Sequence, residues 1–286
     1  MFNKNSKLTP LKALEYSKKL WFISLIMAQT CFVIYLILGY GVTGLTTGLS
    51  GWNRLNNTAY VANDATGNLM YAVHVLFAVV MILGGSLQLI EKLRTKYRTF
   101  HRYNGRVFVV LACCISFAGM YLMIVRGTVG NTLMHALTMF GGLVVIVSSL
   151  FAVKTARARN FNVHQVWAIR LYLAANGVLF FRLLIFAWFL VFGTLGVDTA
   201  TFTGPAVLAV SLCSYLVPLL IAELVRYAAR TNITFITIGT ACLMTLISIV
   251  FLIGLFGAVS YPHLTLPTNS VVTVSIVPLT NIKAID

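Results

Sequence analysis

Four histidines are the residues of this sequence best suited to chemistry, because each lies near the start of a long apolar run. They are His74, His101, His135 and His164, one for each of four consecutive runs. A neutral imidazole is the commonest metal ligand in proteins. This regular placement predicts that the four side chains act as a set rather than singly.

The runs that position these histidines predict membrane-spanning helices. Hydrophobic residues make up 59% of the 286-residue chain and charged residues 9%, whereas a soluble domain is roughly a quarter charged. A bilayer core needs about 20 apolar residues per helix. Seven runs approach that length: Leu20–Tyr40, Leu69–Ile90, Val107–Val125, Leu133–Val153, Val166–Phe192, Ala206–Leu224 and Ile233–Phe256. The sequence therefore predicts an all-α membrane protein with about seven transmembrane helices, of which the second to fifth form a four-helix bundle core.

Three regions follow from this count. Residues 1–19 form a basic N-terminal segment, residues 20–257 the membrane domain with its core at 69–192, and residues 258–286 an irregular tail. The connection from Gly41 to Asn68 is rich in Gly, Thr and Asn and is expected to form a structured surface loop. The tail segment VSYPHLTLPT, from Val259, resembles the translation of a transposon adapter used in sequencing libraries. We expect the natural chain to end or diverge near Ala258, with an outer-face strand segment as the alternative, and we assign His263 no function.

The distribution of basic residues predicts the orientation of the chain. Its 21 Lys and Arg outnumber six acidic residues, giving a net charge of +15. Nearly all of them flank apolar runs in alternate connections, which indicates membrane topology and contact with anionic lipid rather than nucleic-acid binding. Cytoplasmic loops carry the excess of Lys and Arg. We therefore expect the N-terminus inside and the C-terminus outside.

This topology sorts the histidines into two pairs. The second and fourth helices start outside, so His74 and His135 share the outer side, and His101 and His164 share the inner side. Two imidazoles that face each other across a bundle can ligate the two axial positions of a haem iron. The pattern predicts two b-type haems. The alternative is that the histidines only cap helix ends, and a compact zinc, copper or non-haem iron site would be short of ligands because neither pair is joined by a carboxylate or cysteine.

Two arginines near the outer ends of helices are further candidates for cofactor binding. A charged side chain within a membrane span is costly and usually paired. Arg182 lies inside the fifth run, where haem propionates, lipid headgroups or backbone carbonyls could pair with it. Arg126 ends the third run and could do the same, or extend to the membrane surface. Small residues could leave room for a flat cofactor or allow close helix packing: Gly84, Gly85, Gly141 and Gly142. We expect Glu223 to pair with Arg226.

Two short motifs carry a family resemblance. The segments HRYNGR at His101–Arg106 and HQVWAIR at His164–Arg170 resemble the HRxxGR and HxxWxxR elements of a bacterial family of predicted membrane proteins of unknown function. The resemblance covers roughly residues 69–192 and implies a multi-pass protein of the bacterial cytoplasmic membrane.

The histidine layout is also similar to that of the cytochrome b-561 type, the ascorbate-reducible transmembrane di-haem proteins. This resemblance implies that His74 pairs with His135 on one haem and His101 with His164 on the other. It further implies that basic residues on one face bind an anionic reductant. Here Arg94, Lys96, Arg98 and Arg157 occupy comparable positions, although basic inner loops could equally be topology signals alone.

Two functional hypotheses result. In the first, an inner quinol or small anionic reductant reduces the haem at His101 and His164, and the outer haem passes the electron outward; any enzyme activity would be that of a membrane oxidoreductase. In the second, the chain is a cofactor-free transporter, sensor or assembly subunit whose histidines are polar helix ends.

The orientation can be tested with a single engineered cysteine at Asn57 and another at Thr95, in a chain whose five native cysteines are replaced. In intact cells a membrane-impermeant maleimide should label Asn57→Cys and leave Thr95→Cys unlabelled until the cells are opened. The reverse pattern would overturn the assignment, because the basic connections would then lie outside.

Overall fold

The computed structural model describes residues 9–127, 130–231 and 233–260, and within this part of the chain the regular elements are all helical. A π-helical stretch, Ile37–Val42, joins the first two helices, and a 3-10 helix, Leu49–Arg54, follows them. The tail with His263 lies outside the described residues. The helices are α1 (Pro10–Leu36), α2 (Thr43–Thr47), α3 (Ala65–Leu89), α4 (Glu91–Lys96), α5 (Arg98–Val125), α6 (Thr132–Arg157), α7 (Phe161–Ala175), α8 (Gly177–Phe192), α9 (Pro205–Tyr215), α10 (Val217–Ala228) and α11 (Thr234–Ser260).

Within the described residues, five helical stretches are long and apolar enough to cross a bilayer. The count rises to seven if each of two bent helix pairs is taken as one span. The bent pairs are α7 with α8, at 50°, and α9 with α10, at 42°. The predicted all-α membrane fold is confirmed. The predicted fifth and sixth spans correspond to the two bent pairs.

The first helix begins earlier than its apolar run. Pro10 opens α1, so the second half of the basic N-terminal segment is helical. Proline is well tolerated in the first helical turn because its missing N–H would have no intrahelical partner there. Helical structure continues through α2 to Thr47, over 38 residues. Since that length is about 57 Å and a bilayer core is about 30 Å, part of this helix extends beyond the membrane.

Different residues produce the two bends. In α10, Pro218 lacks an N–H and its ring crowds the carbonyl one turn earlier, which separates α9 from α10. Between α7 and α8 the break is at Asn176, whose Nδ2 donates to the Tyr172 carbonyl at 2.8 Å. The next residue, Gly177, packs so closely that an added Cβ would lie 2.4 Å from the ring of Tyr215.

A buried polar network ties this break to two other helices. Gln29 of α1 donates from Nε2 to the Asn176 Oδ1 at 2.8 Å and to the Tyr172 hydroxyl at 3.1 Å. Ser86 of α3 donates to the Gln29 Oε1, and its hydroxyl also lies 3.1 Å from that of Tyr172. All four side chains are buried. Their polar groups hydrogen-bond to one another where no water is available. These bonds fix the rotation of α1, α3 and the α7–α8 pair about their helix axes.

The remaining packing joins both sequence neighbours and helices from distant parts of the chain. Helix α3 packs along α5, α6 along α7, and α11 between α1 and α8. Gly84 and Gly85 allow the first contact, since an added Cβ would lie 2.8 Å from Asn104 Oδ1 and 2.6 Å from the ring of Phe108. These two glycines therefore serve close helix packing. We call the end of the bundle near residues 48–64 the loop end, and the end near α4 the basic end.

Replacing Gln29 with leucine should destabilise the protein by about 1–2 kcal/mol, because Asn176, Tyr172 and Ser86 would lose a shared partner. Unfolding in detergent with increasing denaturant would measure the change. Thr30→Val, at the neighbouring exposed position where the hydroxyl bonds only the Ile26 carbonyl, is the matched control and should change little. Equal effects of the two substitutions would contradict the role assigned to the network.

Candidate functional site

A cavity lies in the loop-end half of the bundle, lined by residues of several helices. It has a volume of about 390 Å³ and is bounded by α1, α3, α5, α6, α7, α8 and α9, and residues 56–58 also line it. Small-molecule sites usually measure about 300–1,000 Å³ and combine apolar walls with a few polar groups. The cavity thus reaches beyond the predicted four-helix core, since α1 and α9 also form its walls. Its polar lining residues include His74, Arg182, Asn176, Thr138, Tyr40, Tyr71 and Tyr215.

His74 lies deeper in its helix than the apolar run suggested. Helix α3 begins at Ala65 because the Asp64 side chain accepts from the Gly67 N–H at 2.8 Å and caps it. His74 is therefore about two and a half turns into α3. Its ring packs against Gly119 of α5, where an added Cβ would lie 2.8 Å from Cε1.

The hydrogen bond of His74 fixes which ring nitrogen carries the proton. Nδ1 lies 3.0 Å from the Ile115 carbonyl oxygen. A carbonyl can only accept, so Nδ1 carries the proton and Nε2 keeps its lone pair. Metal-ligating histidines are commonly oriented in this way, with the other ring nitrogen donating to a carbonyl.

Arg182 brings an uncompensated positive charge into the same cavity. Its guanidinium lies over the Phe32 ring, 5.2 Å from the centroid, and its charge acts on His74, Tyr40 and Tyr71. Its Nε is buried and has no hydrogen-bond partner among the described residues. Within the same part of the chain, none of the four ion pairs includes Arg182. A partly buried cation with a buried, unsatisfied Nε favours an anionic ligand.

His135 lies in the first turn of α6, nearer the loop end than the cavity, and is not among the residues that line it. However, residue 135 lies on the same face of α6 as the residues that line the cavity. Thr138, Gly142 and Val145 line the cavity, and residues three or four apart, and seven apart, share a helix face. The pairing of His74 with His135 stays a prediction.

The other two histidines lie together at the basic end. His101 and His164 occupy the first turns of α5 and α7 and are close enough for their charges to interact. His164 Nδ1 lies 2.9 Å from the Ala152 carbonyl oxygen, so Nδ1 carries a proton here too, and the neutral form of this ring has its lone pair on Nε2. The buried Nδ1 of His101 has no hydrogen-bond partner within the described ranges.

Arg126, the second predicted cofactor ligand, is occupied by protein groups. Its guanidinium donates to the Asp64 carboxylate from Nε at 3.1 Å and from Nη2 at 2.8 Å. Nη1 donates to the carbonyls of Thr58 and Ala59, and Nη2 also donates to the Asn68 side chain. A guanidinium has five N–H donors, and these contacts use all of them. Arg126 therefore holds the loop that lines the cavity, and its binding of a cofactor stays a prediction, since all five of its donors have protein partners.

The predicted reductant-binding residues surround His101 and the end of α6. Arg94 lies in α4, close enough to His101 for their charges to interact, and forms a 4.0 Å ion pair with Glu91. Lys96, Arg98 and Arg157 are exposed to solvent or headgroups at the ends of α4, α5 and α6. These four cations form a basic rim at one end of the bundle, and whether they bind a substrate stays a prediction.

One ion pair was not predicted from the sequence. Glu223 of α10 accepts from Arg226 at 2.6 Å, as expected, but its other oxygen accepts from Arg170 of α7 through two nitrogens, at 2.8 and 3.1 Å. Arg170 also lies over the Trp167 ring, 4.6 Å from its centroid. The arginine of the HxxWxxR element thus joins α7 to α10.

A compact metal site needs three or more ligand side chains close together. Within the described part of the chain, no group of three His, Cys, Asp or Glu side chains comes together. A bis-histidine site needs only two such ligands.

Comparison with known proteins identifies a family. Residues 71–226 match the model of the predicted membrane protein family DUF2306. The chain belongs to this family. No curated protein and no solved structure matches it. The match extends beyond the sequence resemblance to include α9 and α10, and with them Glu223 and Arg226.

The two motif segments contain residues that make packing contacts between helices. Within the HRYNGR segment, Asn104, at a variable position of HRxxGR, donates from Nδ2 to the Gly84 carbonyl at 2.8 Å, and Gly105 lies against Gln88. In HxxWxxR, Trp167 stacks on Phe151 with 4.6 Å between ring centroids. These contacts join α3 to α5 and α6 to α7, the helices that carry His101 and His164 in their first turns.

The Asp64–Arg126 clamp should make stability depend on pH. The Gly67 N–H, first, and Arg126 hold the pKa of Asp64 below its usual 3.8. A group with a lowered pKa in the folded state stabilises the fold above its unfolded pKa, and this contribution is lost as pH falls through the folded value. Asp64→Asn should therefore unfold at lower temperature near neutral pH and lose less stability than the wild type as the pH falls below about 3.8.

Thermal unfolding in detergent across this pH range measures both effects. Glu15→Gln removes an exposed carboxylate from α1 and serves as the control. Parallel pH profiles for Asp64→Asn and the wild type would show that the clamp does not contribute.

Proposed function

We propose that this DUF2306 protein binds haem b between its paired histidines and carries electrons across the membrane. The proposal rests mainly on the hydrogen bonding and position of the His74 ring. Its Nδ1 proton is donated to the Ile115 carbonyl, so in the neutral ring the Nε2 lone pair can bind a metal. The side chain lines a cavity of about 390 Å³. A ligand imidazole requires this neutral, oriented form.

Arg182 supplies the second reason. Haem carries two propionate groups, and a carboxylate is the natural partner for a buried guanidinium whose Nε is unsatisfied among the described residues. The histidine and arginine side chains therefore match the ligands and the propionate partner that a haem group requires. His74 would be one axial ligand, His135 on the same cavity-facing side of α6 would be the other, and Arg182 would hold a propionate.

The basic end offers a second position of the same kind. His164 is held by the Ala152 carbonyl in the tautomer that leaves Nε2 free, and His101 lies close by with a buried ring nitrogen. When bound, haem supplies one-electron redox chemistry, and the protein contributes ligation, orientation and electrostatics. Two positions in opposite halves of the bundle would give an electron a path across the bilayer.

The donor would approach the basic rim. Arg94, Lys96, Arg98 and Arg157 attract anions, which suits a small anionic reductant, and a quinol could reach the same end from the bilayer. This assignment places the basic end at the cytoplasmic face of a bacterial inner membrane, following the excess of Lys and Arg there.

A second candidate function needs no cofactor. His135 is absent from the cavity lining, and the cavity combines Arg182 with the amides of Asn56 and Asn176. Such a site could bind a small anion in a transporter, sensor or assembly subunit. The same purification distinguishes the two candidates.

Protein purified in detergent from haem-replete cells should show a Soret band and a sharp α-band after dithionite reduction, with about two haems per chain by pyridine haemochrome assay. His74→Ala and His135→Ala should each remove the same haem, and His101→Ala and His164→Ala the other. His263→Ala is the matched control and should leave both. His263 belongs to neither of the proposed haem-ligating pairs.

A colourless, iron-free preparation would overturn the proposal. Loss of the same single haem in both His74→Ala and His101→Ala would overturn the pairing. If the colourless protein were instead stabilised by small carboxylates, and Arg182→Gln abolished that effect, the cofactor-free candidate would hold.

A further inference from the structure

A groove on the outer surface of the bundle, between α5 and α6, is separate from the cavity. Its volume is about 440 Å³, and its walls are mainly apolar. The α6 side has exposed aliphatic groups, with Leu150 at 64% and Val153 at 40% exposure. The groove runs toward the basic end, and its full lining is Val109, Cys113, Ser149, Leu150, Val153, Lys154 and Arg157.

A buried hydroxyl group lies along this groove. Ser149 is completely buried, and its Oγ has no hydrogen-bond partner within the described residues. The neighbouring Ser148 is equally inaccessible but does not line the groove. Buried polar atoms are almost always hydrogen-bonded, so an unsatisfied hydroxyl in a groove wall points to a ligand acceptor.

Two unpaired cations lie at the basic end of the groove. Lys154 and Arg157 are three residues apart on one face of α6 and are both exposed. Neither takes part in an ion pair within the described ranges, and the lining contains no carboxylate. The groove therefore presents positive charge next to an apolar channel in a surface that faces lipid.

We propose that this groove binds one anionic phospholipid. The phosphate lies at Lys154 and Arg157, an acyl chain follows Leu150 and Val153, and the Ser149 hydroxyl donates to an ester carbonyl. About 7.5 Å of helix rise separates Ser149 from Lys154, so the hydroxyl lies deeper in the bilayer than the cations, as the ester lies deeper than the phosphate. Basic residues of this kind attract anionic lipids.

The site lies next to one of the histidines. Ala152, whose carbonyl orients His164, lies on α6 between Ser149 and Lys154. A lipid bound in the groove would contact the segment that holds this ring. The lipid site does not depend on the proposed electron transfer, and its test requires no bound cofactor.

The charge contacts can be tested by native mass spectrometry of purified protein titrated with phosphatidylglycerol or phosphatidylcholine. The wild type should retain phosphatidylglycerol preferentially, and Lys154→Ala with Arg157→Ala should weaken that binding roughly 30-fold. Arg102→Ala with Arg230→Ala removes the same charge from other exposed sites near the basic end and should leave binding unchanged. Equal losses in the two double variants would overturn the proposal by showing general electrostatic attraction.

The Ser149 contact has its own test. Ser149→Ala should weaken binding of diester phosphatidylglycerol by about fivefold and leave binding of the diether analogue, which has no ester carbonyl, unchanged. An equal effect on both lipids, or no effect on either, would overturn the assignment of this hydroxyl. Stabilisation by free glycerol 3-phosphate equal to that by phosphatidylglycerol would show a phosphate site and overturn the lipid assignment.

Discussion

Polar groups inside a bilayer have no water to bind, so each must find its partner within the protein. At the crossing of α1, α3 and the α7–α8 pair, Gln29, Ser86, Tyr172 and Asn176 meet this requirement together. Asn176 lies at the helix break and also lines the cavity. The network thus fixes the helices on three sides of the cavity and places Asn176 in its wall.

Two arginines near the cavity show opposite solutions to the same constraint. Arg126 donates all five of its N–H groups to Asp64, Asn68 and two loop carbonyls. Its charge is therefore paired with Asp64, and its hydrogen bonds hold the loop. Arg182 stacks on Phe32 and keeps a buried nitrogen that nothing satisfies among the described residues. The cavity therefore keeps a net positive character, and the proposed ligand is the group that would neutralise it.

The histidines depend on backbone carbonyls of neighbouring helices. His74 is oriented by α5 and His164 by α6, so each ring is fixed only when two helices pack in register. Asn104, next to the motif glycine Gly105, contributes to that packing at the α3–α5 contact, and Trp167 of HxxWxxR contributes at the α6–α7 contact. Helix packing and ring chemistry are thus linked at both ends of the bundle. The groove between α5 and α6 adjoins this linkage, because Ala152, whose carbonyl orients His164, lies between Ser149 and Lys154 on α6.

The sequence by itself determined the membrane fold, since long apolar runs with flanking charges leave few alternatives, and it determined the Glu223–Arg226 pair, since residues three apart on a helix are neighbours. It did not reveal the break at Asn176 within an unbroken apolar run, nor the depth of His74, which follows from a polar cap outside that run. The Arg170–Glu223 pair joins residues 53 apart. Such contacts are decided by how helices rotate and cross. Hydropathy does not encode this, because a bilayer accepts an apolar helix in many rotations and only specific side-chain contacts select one.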